Sequence, residues 1–370
     1  SVCNSTSGCL AYGAAIAGGV GNNTTGGTWT LASCCFTVAP TICNAGQFSF
    51  IGGGFQNIAS CNYSTVAGGR CNTASSKYSI VSGGNCNTSS CYYTTVSGGN
   101  CNTANAKYST VSGGYSNTAS QYYSTATGGF INTASGYIST IGGGKCNTAS
   151  GYISTIAGGA GNTASGYYST VSGGSCNTAS ANRSTVSGGY LNTASANRST
   201  VSGGQNNTAS GDYSFVGGGG GNPAIAANNT ASGSWSTAVA GYGVTASGLG
   251  TFVGGGSSNT SSNNYSVVVG GRQNGSTGGY SFVGSGRQNS ASGSYSVVTG
   301  GTINRATANC SAVVGGAFNC ASSDYAFIGG GGRNTSSGSY STISGGSCNT
   351  SSCSYSFIGG GILNTASAYY

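Results

Sequence analysis

Asparagine returns in this chain with a period of fifteen residues, and that period limits what the chain can become. The stretch from Asn162 to Gln205 reads NTASGYYSTVSGGSC, NTASANRSTVSGGYL and NTASANRSTVSGGQ. With the Asn as position 0, one phase carries Asn57, Asn72, Asn87, Asn102, Asn117, Asn132, Asn147, Asn162, Asn177, Asn192 and Asn207. It resumes at Asn229 and runs from Asn259 through Asn349 to Asn364, with Val244 standing in once. A fixed short period over nearly the whole chain predicts a solenoid in which each repeat is one coil stacked on the next.

Composition decides between that reading and disorder. With 72 glycines, 2 prolines and 3% charged residues in 370, ordinary globular domains are excluded, and low complexity alone would suit a disordered tract. A disordered tract has no reason to hold an apolar column in phase. Here position 9 is Val66, Val81, Val96, Val111, Val171, Val186 and Val201, then Val268, Val283 and Val313. Alternation over positions 5 to 10 predicts a strand with Ser and Val inward and Tyr and Thr outward. A second short strand covers Asn-Thr-Ala-Ser. The Gly pair at positions 11 and 12 turns the chain between them, since glycine accepts positive φ and close backbone approach. The expected fold is all-β, a parallel β-solenoid (β-roll) with two short strands per coil.

The phase also divides the chain. Residues 1–41, with Trp29, the Cys34–Cys35 pair and Pro40, read as an irregular N-terminal cap, although Ile16, Gly18, Gly19 and Asn22 keep the repeat's phase. A regular block follows over 42–219. The spacing from Asn207 to Asn229 places an insertion at 220–228, where Pro223 cannot join a ladder. The second block, 229–370, ends at Tyr370 in an unfinished coil, read as an open, uncapped end able to pair with another chain.

Several columns are candidate functional features. Asn72, Asn87, Asn102, Asn162, Asn177, Asn192 and Asn349 suit an amide ladder along the stack, or a plain turn-forming role. Tyr63, Tyr78, Tyr93, Tyr108, Tyr123, Tyr265, Tyr295 and Tyr340 at position 6 join Phe252, Phe282, Phe327 and Phe357 at position 8 as an outward interface or ligand face. One coil buries little apolar area against the entropy of ordering its backbone. Packing of this face on sister chains would supply more, and the alternative is a solvent-exposed Tyr ladder. Cys71, Cys86 and Cys101 share one column, while Cys86 with Cys91 and Cys348 with Cys353 flank one turn. Disulfides across coils and across the turn are both open.

The functional classes narrow by chemistry. The net charge of +8 comes from scattered Lys and Arg, which excludes a nucleic-acid patch. No apolar run approaches the ~20 residues of a membrane span, so no membrane insertion by this segment is expected. Histidine and glutamate are absent, and Asp212 and Asp324 lie far apart. Acid–base and nucleophile–base catalysis lack candidates. The glycine runs contain no GxxxxGK[ST], no recurrent Asp suits calcium, and no CxxC or His suits zinc. The reading is not an enzyme and no cofactor. Sixteen cysteines point to an oxidising, extracellular setting. N-x-S/T triplets at Asn62, Asn87, Asn182, Asn197, Asn259, Asn264, Asn334 and Asn349 are glycan acceptors if the source glycosylates.

Units such as NTASGYYSTVSGG and NTASGYISTIAGG resemble the YadA-like head repeats of trimeric autotransporter adhesins, and are similar to repeats of viral and phage fibres. The resemblance covers most of the chain after Ile42. It implies a left-handed parallel β-roll, a homotrimer and adhesion to matrix or host molecules. The expected function is a non-catalytic extracellular structural protein at a cell or virion surface. It forms a fibre or filament, adhesive through its outer face, with itself as partner in a homotrimer or head-to-tail polymer. The alternatives are a trimeric adhesin head with a specific matrix or glycan ligand, and an ice-binding solenoid presenting a single Thr column.

Overall fold

The computed structural model describes residues 4–6, 11–25, 28–30, 35–38, 41–42, 45–221 and 228–368. It divides into two compact units, Ser1–Ala179 and Ser180–Tyr370. Each is an all-β parallel solenoid, with no helix among the described residues.

In the first unit, positions 8 and 9 of successive coils pair in parallel and in register, from Ala15–Ile16 on Phe50–Ile51 to Thr155–Ile156 on Thr170–Val171. Positions 1 and 2 form a second ladder, from Ile58–Ala59 on Thr73–Ala74 to Thr163–Ala164 on Thr178–Ala179. The second unit repeats both ladders, from Thr185–Val186 to Phe357–Ile358 and from Thr193–Ala194 to Thr365–Ala366. Like residues therefore lie over like: Val81 beside Val96 and Val186 beside Val201.

The strands are shorter than the alternation predicts. Only positions 8 and 9 are extended, and positions 5 and 6 form a turn. The Tyr column thus belongs to a corner, where Tyr63, Tyr78 and Tyr93 take φ of 59°, 61° and 57°. A third ladder, invisible to the hydrophobic pattern, runs through position 13: Phe55 to Arg70 to Asn85 in the first unit, Ser257 to Arg272 to Arg287 in the second. Position 14 beyond it is again left-handed, as at Cys71, Cys86 and Cys101. Both left-handed residues reverse the direction of donation. Most ladder N–H groups donate forward, such as Thr65 to the Ser79 carbonyl at 2.9 Å, whereas Tyr78 donates back to Asn62 at 3.2 Å and Cys86 back to Arg70 at 2.9 Å. Those bonds offset the cost of positive φ in a residue with a Cβ.

The core is one side chain thick. In the coil from Asn72, the inward residues Asn72, Ala74, Ser79 and Val81 are all fully buried. Buried polar groups need partners. Ser79 Oγ donates to the Ser76 carbonyl at 2.6 Å. Where position 2 is Ser instead of Ala, that hydroxyl meets the one at position 7, Ser89 to Thr94 at 2.7 Å and Ser336 to Ser341 at 2.5 Å.

The Asn column is a ladder, but not one of amide on amide. The Asn87 Oδ1 accepts the backbone N–H of Asn102 at 2.9 Å, and its Nδ2 donates to the carbonyls of Gly83 at 2.8 Å and Gly99 at 2.9 Å. Asn72, Asn102, Asn162 and Asn349 make the same set. Amide-to-amide bonds are secondary, as between Asn102 and Asn87 at 3.2 Å. Each side chain stitches the Gly–Gly corner of the preceding coil to that of its own. This is also why position 12 must be glycine: at Gly84 (φ +89°) a Cβ would meet the Gly99 carbonyl oxygen at 2.2 Å and Asn87 Nδ2 at 2.6 Å.

Residues within the expected N-terminal cap already join the stack, Ala15–Ile16 on Phe50–Ile51 and Val20 on Phe55. Asn22 Oδ1 accepts the Asn57 N–H at 3.0 Å, and Asn4 Oδ1 accepts that of Asn22 at 2.9 Å. Thr24 pairs antiparallel with Ile42, and Trp29 with Phe36. Of the expected insertion, 222–227 lie outside the described residues. Beyond it the ladders resume in phase, Thr208 on Thr230 and Val216 on Ala238.

Candidate ligand face

The turn at positions 4 to 6 projects position 6 outward at every coil. Because coils stack in register, identical rings stack. In the first unit Phe48, Tyr63, Tyr78, Tyr93, Tyr108 and Tyr123 form one continuous column with centroids 4.8–5.3 Å apart. Offset stacking at this spacing favours association beyond the area buried. Lys77 sits 5.1 Å from the Tyr78 ring centroid and Lys107 5.0 Å from that of Tyr108. The column then shifts by one residue: Tyr137, Tyr152 and Tyr167 stack from position 5. A shallow groove of about 310 Å³ lies along Gln121, Ser135, Tyr137, Ser150 and Tyr152.

The second unit carries three shorter stacks. Tyr213 lies on Trp235 at 5.7 Å, Tyr265 on Tyr280 on Tyr295, and Tyr325 on Tyr340 on Tyr355. Cys310 separates the last two. Its thiol beside Tyr325 holds that phenol above its ordinary range, with smaller contributions from Tyr340 and Asp324. The Phe residues do not share the Tyr corner. Phe252, Phe282, Phe327 and Phe357 occupy position 8, on the adjoining flat ladder. Phe252 and Phe282 are half-buried, and Phe327 and Phe357 exposed. The sequence-predicted face is therefore two surfaces, a corner of stacked Tyr and a sheet of Thr and Phe. Threonine likewise forms two columns instead of one, at positions 1 and 8, on separate ladders.

The expected disulfides are absent among the described cysteines. Cys71, Cys86, Cys91, Cys101, Cys348 and Cys353 are all free thiols. In-register stacking gives neighbouring cysteines parallel Cβ directions at the ~4.8 Å strand spacing, wider than the ~3.8 Å between Cβ atoms that a disulfide favours. The thiols turn to amides instead: Cys86 Sγ is 3.5 Å from Asn85 Oδ1 and Cys101 Sγ 3.2 Å from Asn100 Oδ1.

The two carboxylates serve the backbone. Asp212 Oδ1 accepts the Asn197 N–H at 3.1 Å and Asp324 Oδ1 that of Asn309 at 3.0 Å. Both occupy position 5, an equivalence legible in the sequence once position 5 is known to be the exposed corner. Among the described residues no three His, Cys, Asp or Glu side chains cluster to hold a metal ion, and no helix is long and apolar enough to cross a membrane. No protein-family model matches the chain, and no curated protein matches it.

Proposed function

We infer that this chain is a non-catalytic structural protein of an exterior surface, built as a fibre or filament and adhesive through its corner of stacked aromatic rings. One observation carries the reading. The described coils bury Asn, Ala, Ser and Val in stacked columns, while Tyr at most corners and Thr on the flat ladders recur along the outside of a hydrogen-bonded scaffold. Such a scaffold holds its surface groups rigidly, which lowers the entropy lost when a repetitive ligand docks. The YadA-like resemblance supports the same reading and adds a homotrimer. The Tyr corner, with Tyr93 45% and Tyr123 46% exposed, offers apolar area for sister chains. Negative-stain microscopy with analytical ultracentrifugation tests the proposal: filaments or elongated homo-oligomers are expected, and compact globular monomers would refute it.

The second reading, a head with a specific ligand, is favoured by one departure from the repeat. Over four consecutive coils of the second unit the corner reads Arg183, Arg198, Tyr213 and Trp235, with Tyr kept only at the third.

A further inference from the structure

Four successive corner positions of the second unit are Arg183, Arg198, Tyr213 and Trp235. All are left-handed, with φ of 56°, 55°, 58° and 56°. Their backbones are tied in series: Arg198 N–H donates to Asn182, Tyr213 to Asn197 and Trp235 to Asp212, each at 2.8 Å. The four side chains therefore leave one corner at successive coil steps, in nearly the same direction. All are exposed, Trp235 at 59%. A groove of about 290 Å³ runs beside them, lined by Asn182, Arg183, Asn197, Arg198, Asp212 and Tyr213.

The chemistry of this ridge is unlike that of the other corners. The Arg198 guanidinium lies 4.9 Å from the Tyr213 ring centroid and its Nη1 donates to the Tyr213 hydroxyl. Arginines at equivalent corner positions of adjacent coils, Arg183 and Arg198, put two positive charges on one short stretch of the ridge. The groove's lining holds one carboxylate, Asp212, which accepts the Asn197 N–H through Oδ1, so its lining carries more positive than negative charge. Beyond the arginines, Tyr213 and Trp235 stack and leave exposed aromatic surface. The amides of Asn182 and Asn197 are exposed at the same level and supply both donors and acceptors.

We propose that this ridge binds an anionic polysaccharide, one sugar unit per coil. The arginine pair holds a carboxylate or sulfate, and Tyr213 and Trp235 carry the apolar face of the next sugars. Arginine suits bidentate recognition of planar or tetrahedral anions. Exposed aromatic rings in a row suit the C–H face of pyranoses, whose length along a chain is close to one strand spacing. A polysaccharide matches a ridge whose polar, charged and aromatic groups repeat at a single step. The proposal rests on the adhesive reading but names its ligand, and filament formation is independent of it.

The test uses the full chain and immobilised dextran sulfate, polygalacturonate, uncharged dextran and polyglutamate. Comparison of the first two separates sulfate from carboxylate as the bound anion. Binding of one or both, with little retention on uncharged dextran, is expected. R183Q/R198Q is expected to lose at least tenfold in affinity, and W235N at least threefold, asparagine being tolerant of left-handed φ. The control is R272Q/R287Q, which removes an equal charge from a second in-register Arg pair flanked by Ser257 and Thr302; it should change affinity less than twofold. Circular dichroism establishes that each variant is folded. Equal losses in the two Arg double variants, full binding by W235N, equal retention on polyglutamate, or no binding to either anionic polysaccharide would each overturn the proposal.

Discussion

The Phe252 ring lies over Gly254, so close that a Cβ on the glycine would meet the ring at 3.2 Å. The pairing is general. Phe at position 8 occurs at Phe50, Phe215, Phe252, Phe282, Phe327 and Phe357, and position 10 is then Gly52, Gly217, Gly254, Gly284, Gly329 and Gly359. Where position 8 is Thr, position 10 usually carries a Cβ, as in Thr95 and Ser97 or Thr110 and Ser112. The glycine column on this ladder is therefore a seat for the aromatic ring.

From this follows a coupling. Gly254→Ala crowds the ring and the Val269 carbonyl, 2.3 Å from the added Cβ, and is expected to cost about 1–3 kcal/mol, the usual range for overpacking. F252T/G254A restores the combination used elsewhere and should cost less than G254A alone, with a coupling of about 0.5–3 kcal/mol. Urea midpoints of wild type, both singles and the double provide the cycle. Simple additivity would show that ring and glycine are unrelated.

Val244 offers a natural vacancy in the Asn ladder. It accepts continuity from one side only: its N–H reaches Asn229 Oδ1 at 3.1 Å, and its side chain donates nothing to the corner above. Val244→Asn is expected to raise stability by about 1–2 kcal/mol, roughly one per hydrogen bond gained less the buried apolar area lost. Asn87→Ala runs the other way. It orphans the Gly83 carbonyl and the Asn102 N–H, at about 1–3 kcal/mol for each buried group left unpaired, while the Gly99 carbonyl keeps the Asn85 N–H. Hydrogen exchange at Asn102, whose N–H loses its acceptor, should report the loss first, since unfolding in stacked repeats is local. Unchanged protection there would mean that the ladder is ornamental.

What the sequence made legible is what is both periodic and chemically uniform. Val at position 9, Ala at position 2 and Asn at position 0 share burial and side-chain type, so phase alone placed them inside. The third ladder escaped because it is purely a backbone feature. Its residues run from Phe55 and Arg70 through Asn85 to Tyr115 and Lys145, so no single side-chain type announces the column. The corner escaped for a related reason: Tyr is not a residue that favours positive φ, so Tyr78 read as strand until its backward hydrogen bond to Asn62 was seen. The Asn column was legible as a ladder, but its partners were not, because they are glycine carbonyls rather than other side chains. Pairing between stacked cysteines looked open because Cα spacing is permissive, while their parallel Cβ directions are not.

The free thiols predict a graded reactivity. Cys86, Cys101, Cys146 and Cys176 are exposed and should alkylate with iodoacetamide at pH 8 without denaturant. Cys320 should lag. Burial pushes its thiol up from the ordinary value, with Arg305 only partly opposing, so less of it is thiolate, the reactive form, at a given pH. Raising the pH should narrow the gap. Peptide mass spectrometry over a time course reads both effects. Protection of Cys86 and Cys91 together, released by reductant, would instead restore the disulfide across that turn.

Most of the glycan-acceptor triplets fall at two positions of the coil, 0 and 5. Asn87, Asn259, Asn274, Asn334 and Asn349 stand at position 0, buried, each with Nδ2 committed to two backbone carbonyls. A sugar on any of them has no volume to occupy and breaks the corner stitching. Asn182, Asn197, Asn264 and Asn309 stand at position 5, exposed on the turn. Asn62 is half-buried there, its Nδ2 donating to Gln47 Oε1 at 3.3 Å. Expressed through a secretory pathway that N-glycosylates, the folded fraction should carry glycans at the four exposed sites and none at position 0. Chains modified at position 0 before folding should collect in the aggregated fraction. Site-resolved glycopeptide mapping of both fractions makes the comparison, and a glycan on Asn87 in folded protein would contradict the coil geometry. Because sugars on Asn182 and Asn197 would cover the arginine ridge, the same material should lose dextran sulfate binding and regain it after enzymatic deglycosylation.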